Sequence, residues 1–217
     1  KSSNVVKLEG SIYGTGWSLV YLPDESLPAP DVVEKAVRAA FEVVNVSMNT
    51  YDPQSLISEF NALPADEVME VDWDFTYVLN EAMKITRTTE GAYDVTVAPL
   101  IDLWGFGPGG PTQIPTDAVI ASTLQAVGLS RLNWQPSIRY LSKRVAGVSL
   151  EFSSIAKGYG VDLAGDAAAR LPVVGDREAV RLVAQPLEIE EHWRIDRQGQ
   201  LTAIGEVENL TPFAAMI

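Results

Sequence analysis

The chain has 217 residues, of which 47% are hydrophobic, carries a formal charge of −13 and contains no cysteine. That charge argues against nucleic acid or an anionic membrane surface as the main partner. The missing cysteine removes disulfides, thiolate zinc sites and thiol nucleophiles together. No run reaches the ~18 apolar residues that a bilayer span needs, and the opening KSSNVVK has no signal-peptide pattern, although a mature chain would have lost one.

In chain order, VVKLEGSIYGTGWSLVYL alternates around its glycines and predicts two short strands. After Pro28 and Pro30, DVVEKAVRAAFEVV predicts a helix capped by Asp31, with Val33, Val37, Ala40 and Val44 on one face. NVSMNTYDPQSLISEFN then reads as a polar loop turning at Tyr-Asp-Pro. DFTYVLNEAMKITRTT predicts a second helix, with Phe75, Val78, Leu79, Ala82 and Ile85 in register and Gly91 at the C′ position. The first half of GAYDVTVAPLIDLWGFGPGG reads as a strand or extended run, and its second half as a loop. TDAVIASTLQAV predicts a third helix stopped by Gly128. Strands are predicted around SIRYLS and over VAGVSLEF, where Val145, Val148, Leu150 and Phe152 form the apolar set. A helix holding Lys157 then runs to about Leu171. Beyond Pro172 a short helix at 176–184 and a strand at HWRID are the expected elements. This order predicts a mixed α/β fold around one sheet.

Few chemical motifs stand out singly. His192 is the one histidine, no Gly-x-Ser-x-Gly elbow accompanies it, and a Ser-His-Asp triad is rejected. GFGPGG lacks the Lys-Ser/Thr of a phosphate-binding loop, and no strand–GxGxxG–helix unit is present. No acidic spacing matches an EF-hand loop. The five tryptophans are scattered, and core or loop packing is the simplest reading of most of them. WGFG at 104–107 alone sets aromatics beside glycine, as a pocket for a planar ligand would, although packing under a loop is the simpler reading. EFSSIAKGYGVD places Lys157 between Ala156 and Gly158 near a helix start, where free N–H groups and a cation suit phosphate. On that stretch alone, a lysine on a solvated helix face is the favoured reading.

Taken in order, GSIYGTGW, MNTYDPQSLISEFN, GAYDVTVAPLIDLWGFG and LEFSSIAKGYGVD resemble the blocks of the ApbE family, the FAD:protein FMN transferases. The resemblance runs from residue 10 to about 170. It implies a single ApbE-like domain over 1–217 with an atypical segment at 172–217, built as one central mixed sheet flanked by helices. It also implies an enzyme that uses Mg²⁺ to move FMN from FAD onto a Thr or Ser of an acceptor flavoprotein, releasing AMP. By the same resemblance Tyr13, Tyr51, Ala92, Tyr93, Asp94, Glu151 and Lys157 contact FAD, and Ser154 supplies an oxygen to Mg²⁺. Tyr13 stands where the family commonly has methionine, and Glu151 where it has the shorter Asp. The family's later Gly-Gly strand, His block and Ala-Asp-x-x-x-Thr metal motif are not recognisable after Asp162. Two readings therefore stay open: an active transferase, and a non-catalytic FAD-binding or truncated homologue without the distal metal ligands. Members of the family are exported, often as lipoproteins, so the resemblance implies a periplasmic location with a lipid anchor in the inner membrane as one form.

Overall fold

The computed structural model describes residues 5–21, 28–110, 113–171, 192–195 and 201–204, the last two stretches as backbone. The chain divides into two compact units, Lys1–Pro30 with Leu171–Ile217, and Asp31–Arg170.

The first unit opens with the predicted pair of strands, β1 (Val6–Ile12) and β2 (Thr15–Tyr21), antiparallel with Ile12 opposite Thr15. Only Tyr13 and Gly14 connect them, at φ 54° and 72°. Two successive positive φ values make a type I′ turn, whose twist matches that of the flanking strands. Gly14 adopts this conformation freely, whereas Tyr13 does so against its Cβ. Tyr13, expected within a strand, therefore sits at the tip of the hairpin. Trp17, Leu19 and Tyr21 alternate along β2 and are buried.

The second unit begins with α1 (Pro30–Met48). Pro30 starts it, because its fixed φ suits the first helical turn, so Asp31 lies inside that turn and is not the cap. Val33, Val37, Ala40, Phe41, Val44 and Met48 form its buried face. The stretch expected as a polar loop contains α2 (Leu56–Ala62), capped by Ser55, which accepts from the Ser58 N–H. That cap satisfies an amide at the helix start, and Ile57 and Phe60 are fully buried.

After the short β3 (Val68–Glu70), α3 (Trp73–Thr88) is capped by Asp72, whose Oδ1 accepts from the Phe75 N–H at 2.7 Å. Phe75, Val78, Leu79 and Ala82 are buried as predicted, while Ile85 faces outward. The helix ends in a Schellman arrangement, with Gly91 N–H donating to Thr86 C=O and Glu90 N–H to Arg87 C=O. Glu90, at φ 54°, holds C′, so Gly91 is the residue after it.

Residues 95–103 are helical, not extended. A 3₁₀ turn at Val95–Val97 runs into α4 (Ala98–Leu103). The cause is local: Asp94 caps the turn, and Pro99 in the first turn of α4 favours the helical φ. The predicted third helix is α5 (Asp117–Thr123), capped by Thr116 and continued by a 3₁₀ turn at Leu124–Ala126 before Gly128.

β4 (Leu132–Gln135) and β5 (Tyr140–Lys143) form a second hairpin, and β3 pairs with the other side of β5, giving the order β3-β5-β4. Val148, Leu150 and Phe152 alternate and are fully buried, as the pattern predicted, yet they form no strand. Asn61 takes the place of a partner strand: Leu150 N–H donates to its Oδ1 at 2.7 Å, and its Nδ2 donates to Leu150 C=O at 2.9 Å. Lys143, only 2% exposed, donates to the carbonyls of Asn61 (2.8 Å) and Leu63 (2.9 Å) at the end of α2. Its cation answers unpaired carbonyls there, and burial lowers its pKa.

The unit closes with α6 (Ser153–Ala169), whose buried stripe is Ala156, Gly160, Ala164 and Ala168. In the first unit, β6 (His192–Ile195) pairs antiparallel with β7 (Leu201–Ile204), in agreement with the strand expected at HWRID. The helix expected at 176–184 lies outside the described residues. The mixed α/β class is as expected, but the described strands make three small antiparallel sheets, where one mixed sheet was expected. Two of them are hairpins with short connections, which reverse the chain and so impose antiparallel pairing.

Candidate functional site

Within the second unit, four stretches contribute the side chains that the sequence singled out. Asp94 sits at the start of the Val95–Val97 turn, and its Oδ1 accepts from the Thr96 N–H at 2.8 Å and the Thr96 hydroxyl at 2.6 Å. Thr96, fully buried, also accepts from Gly128 N–H at 2.6 Å. One carboxylate oxygen thus fixes the turn, and the other remains for a ligand.

Tyr93 precedes it, half-buried, with its hydroxyl 3.2 Å from Ser154 Oγ. Burial, above all, pushes the Tyr93 phenol up; the Ser154 hydrogen bond opposes this, and the charges of Asp94 and Glu151 add to it. Tyr93 is accordingly a neutral phenol at physiological pH. Ala92 is exposed beside it.

Glu151 leads into α6. Its backbone N–H donates to Val95 C=O at 2.9 Å, which ties this strand-like segment to the Asp94 turn. Its carboxylate spans two partners, accepting from Thr50 Oγ1 at 3.2 Å and from Ser153 N–H at 2.6 Å. The second of these answers one of the free N–H groups at the start of α6. Ser154 and Lys157 follow on the exposed side of the first turns, and the lysine Nζ is 3.5 Å from Ser153 C=O. The first turn of α6 contains no acidic residue. Beside Lys157, a Cβ on Gly158 would meet nothing within 4 Å beyond its chain neighbours and its own helix backbone, so Gly158 faces open space.

Tyr51 is 68% exposed and donates to Phe106 C=O at 3.4 Å, which joins the loop after α1 to the WGFG segment. At Gly107 a Cβ would lie 1.7 Å from Asp102 Oδ1, so the Asp102 carboxylate occupies the space that a side chain there would need. Asp102 carries a raised pKa, from burial first and then from the charge of Glu151. The structure therefore joins Tyr93 to Ser154 directly and ties Glu151 to the Asp94 turn through Val95, with Lys157 one helical turn from Ser153. Tyr51 connects to WGFG, and Tyr13 belongs to the other unit.

Sequence reasoning missed Thr50 and Asp102. Thr50 sits next to Tyr51 inside a quoted block, and its hydroxyl had no signal beyond that adjacency. Asp102 was visible as the acid interrupting the apolar run of LIDLWGFG. Asp196, Glu206 and Glu208, acids of the C-terminal segment whose oxygens a metal could use, lie outside the described residues. Among the described residues, no group of three or more His, Cys, Asp or Glu is placed to hold a metal ion.

Comparison with known proteins follows the same stretches. A model of the ApbE family matches residues 13–175, which is most of the chain. The chain belongs to the ApbE family. Among curated ApbE relatives, the FAD:protein FMN transferase of Haemophilus influenzae is 38% identical over 167 residues, covering 75% of this chain and 48% of its own length. That of Vibrio cholerae is 34% identical over 167 residues, covering 76% and 49%. This chain thus spans about half the length of the curated relatives it matches. Among solved structures, the flavinyl transferase ApbE of Pseudomonas stutzeri in its apo form superposes with a TM-score of 0.73 at 30% identity, covering 78% of this chain and 54% of that one. The flavin transferase ApbE from Vibrio cholerae gives 0.76 at 27% identity, covering 93% and 67%.

Proposed function

We propose that this chain carries the flavin-binding part of an FAD:protein FMN transferase, which moves FMN from FAD to a Thr or Ser of an acceptor flavoprotein and releases AMP. One observation carries the reading most: the family match spans Tyr93, Asp94, Glu151, Ser154 and Lys157, and those residues meet at the start of α6. A helix start with free N–H groups, a lysine and no acid in its first turn favours a pyrophosphate. Asp94 and Glu151 offer acceptors to the hydroxyl and amino groups of a dinucleotide, and exposed Tyr51 offers a ring face to one of its planar ends. Tyr13 is proposed as a further FAD contact on the strength of the family position alone.

In the reaction, an acceptor hydroxyl oxygen forms a bond to the phosphorus of the FMN half, and the bond from that phosphorus to the bridging oxygen breaks. The hydroxyl proton leaves and AMP departs. Mg²⁺, when bound, offsets charge on the pyrophosphate. Ser154 would give it one oxygen, with ligand phosphates and water supplying others, in keeping with the few protein ligands that Mg²⁺ uses. Tyr93, neutral and bonded to Ser154, orients that hydroxyl and does not act as the base. For location we propose the periplasm, with a lipid anchor as one form.

The test is to incubate the protein with FAD, Mg²⁺ and a Thr-containing acceptor peptide and to weigh the peptide. A mass gain of one FMN, with equimolar AMP, is the expected outcome. A peptide of unchanged mass with FAD still bound would instead establish a non-catalytic flavin-binding protein.

A further inference from the structure

A second concavity lies between α3 and the β4–β5 hairpin. It has a volume of about 370 Å³, and its walls include Met83, Leu132, Trp134 and Pro136. Arg87 and Arg144 also line it, together with the amides of Asn80 and Asn133, and no carboxylate does. None of these residues belongs to the proposed flavin site.

Three features make it more than a surface dent. Its two walls are bonded together, since Trp134 Nε1 donates to Asn80 Oδ1 at 2.8 Å. Arg144 is oriented, because its Nε donates to Leu132 C=O at 3.0 Å and leaves the two terminal nitrogens for another acceptor. Arg87 projects from the last turn of α3, where the helix dipole favours a cation but uses none of its donors. Neither arginine forms a salt bridge among the described residues. In a chain of formal charge −13, acidic partners are plentiful, so two unpaired guanidinium groups around one cleft are a feature to be explained.

Guanidinium groups match the oxygens of phosphate with paired donors, and two of them balance the double charge of a phosphate monoester. The volume falls at the small end of the range for organic-ligand pockets, about 300–1,000 Å³. The apolar walls then give the organic part of such a ligand a surface to cover. We propose that this cleft binds a small organic phosphate monoester, with Arg87 and Arg144 on the phosphate and Trp134, Met83 and Pro136 against the organic group. This site is independent of the proposed transferase activity.

The probe is phenyl phosphate, compared with inorganic phosphate, titrated into the ¹⁵N-labelled protein saturated with FAD. The readout is the indole N–H signal of Trp134, assigned by its loss in Trp134→Phe. Saturable movement of that signal is expected, with phenyl phosphate at least tenfold tighter than inorganic phosphate. Arg87→Ala should weaken phenyl phosphate at least tenfold, and Arg144→Lys should weaken it while preserving the charge and the fold. Lys157→Ala should leave this binding unchanged. No saturable shift at millimolar phenyl phosphate, or a shift indifferent to both arginine variants, would overturn the proposal. Equal affinities for the two probes would also overturn it, since they would reduce the cleft to a simple anion patch.

Discussion

Asp94 and Lys157 both stand in blocks that mark the family, yet the molecule employs them in opposite ways. Asp94 is half-buried and turned inward, with one oxygen holding Thr96 and, through it, Gly128. Lys157 is exposed, with one long contact to a carbonyl of its own helix. One residue builds the wall of the candidate site, and the other projects from it. A family motif therefore mixes residues selected for holding the backbone with residues available to a ligand, and only their bonds separate the two kinds.

The largest expected effect tests the first half of that contrast. Asp94→Ala removes two hydrogen bonds to a charged acceptor and uncaps the 3₁₀ turn, for a loss of about 3 kcal/mol in unfolding free energy. Asp94→Asn keeps an oxygen in place and should lose less than half as much. Denaturant titration of both variants measures this, and equal stability of Asp94→Ala and the parent chain would erase the distinction. Lys157→Ala should do the reverse. It is expected to leave the denaturation midpoint unchanged and to weaken FAD by about 2 kcal/mol, a factor of about 30. Flavin fluorescence quenching gives the affinity.

The smallest effect concerns Asp102. Its folded-state pKa is raised, by burial and then by Glu151, so its protonated form favours the fold. That contribution is fully present in acid and is lost as pH rises through the folded pKa. Asp102→Asn removes the charge. It should raise the melting temperature slightly at neutral pH and leave it nearly unchanged in acid, as scanning calorimetry at two pH values would register. A variant less stable at neutral pH would mean that the carboxylate supports the Gly107 turn in its ionised form.

Much of this architecture was legible in the residues. The periodicity of α1 and α3 is helical over several turns, and Val148, Leu150 and Phe152 gave the correct buried face. What failed was the inference from alternation to a strand at 145–152, because alternation reports burial and not who fills the hydrogen bonds. A single amide, Asn61, does so from 89 residues away along the chain. Residues 95–103 misled for a related reason. Val95 and Thr96 favour strands, but the Asp94 cap and Pro99 fix a helical course locally. Of the site, the ligand blocks could be quoted from the sequence. The division of Glu151 between Thr50 and the start of α6, and the inward turn of Asp94, depend on tertiary placement that no local pattern encodes.

The buried amine of Lys143 gives the second unit a built-in clock. Its nitrogen is enclosed by the end of α2 and lies 5.2 Å from the centre of the Phe60 ring, while most lysines here sit in water. Acylating reagents attack an unprotonated, accessible amine, so surface lysines should react at once and Lys143 only when α2 lifts from β5. The rate at which that one position acquires a label then counts the openings of the native state, with no mutation and no denaturant. Slower labelling on adding a flavin nucleotide would register its grip on the unit from a point remote from the ligand.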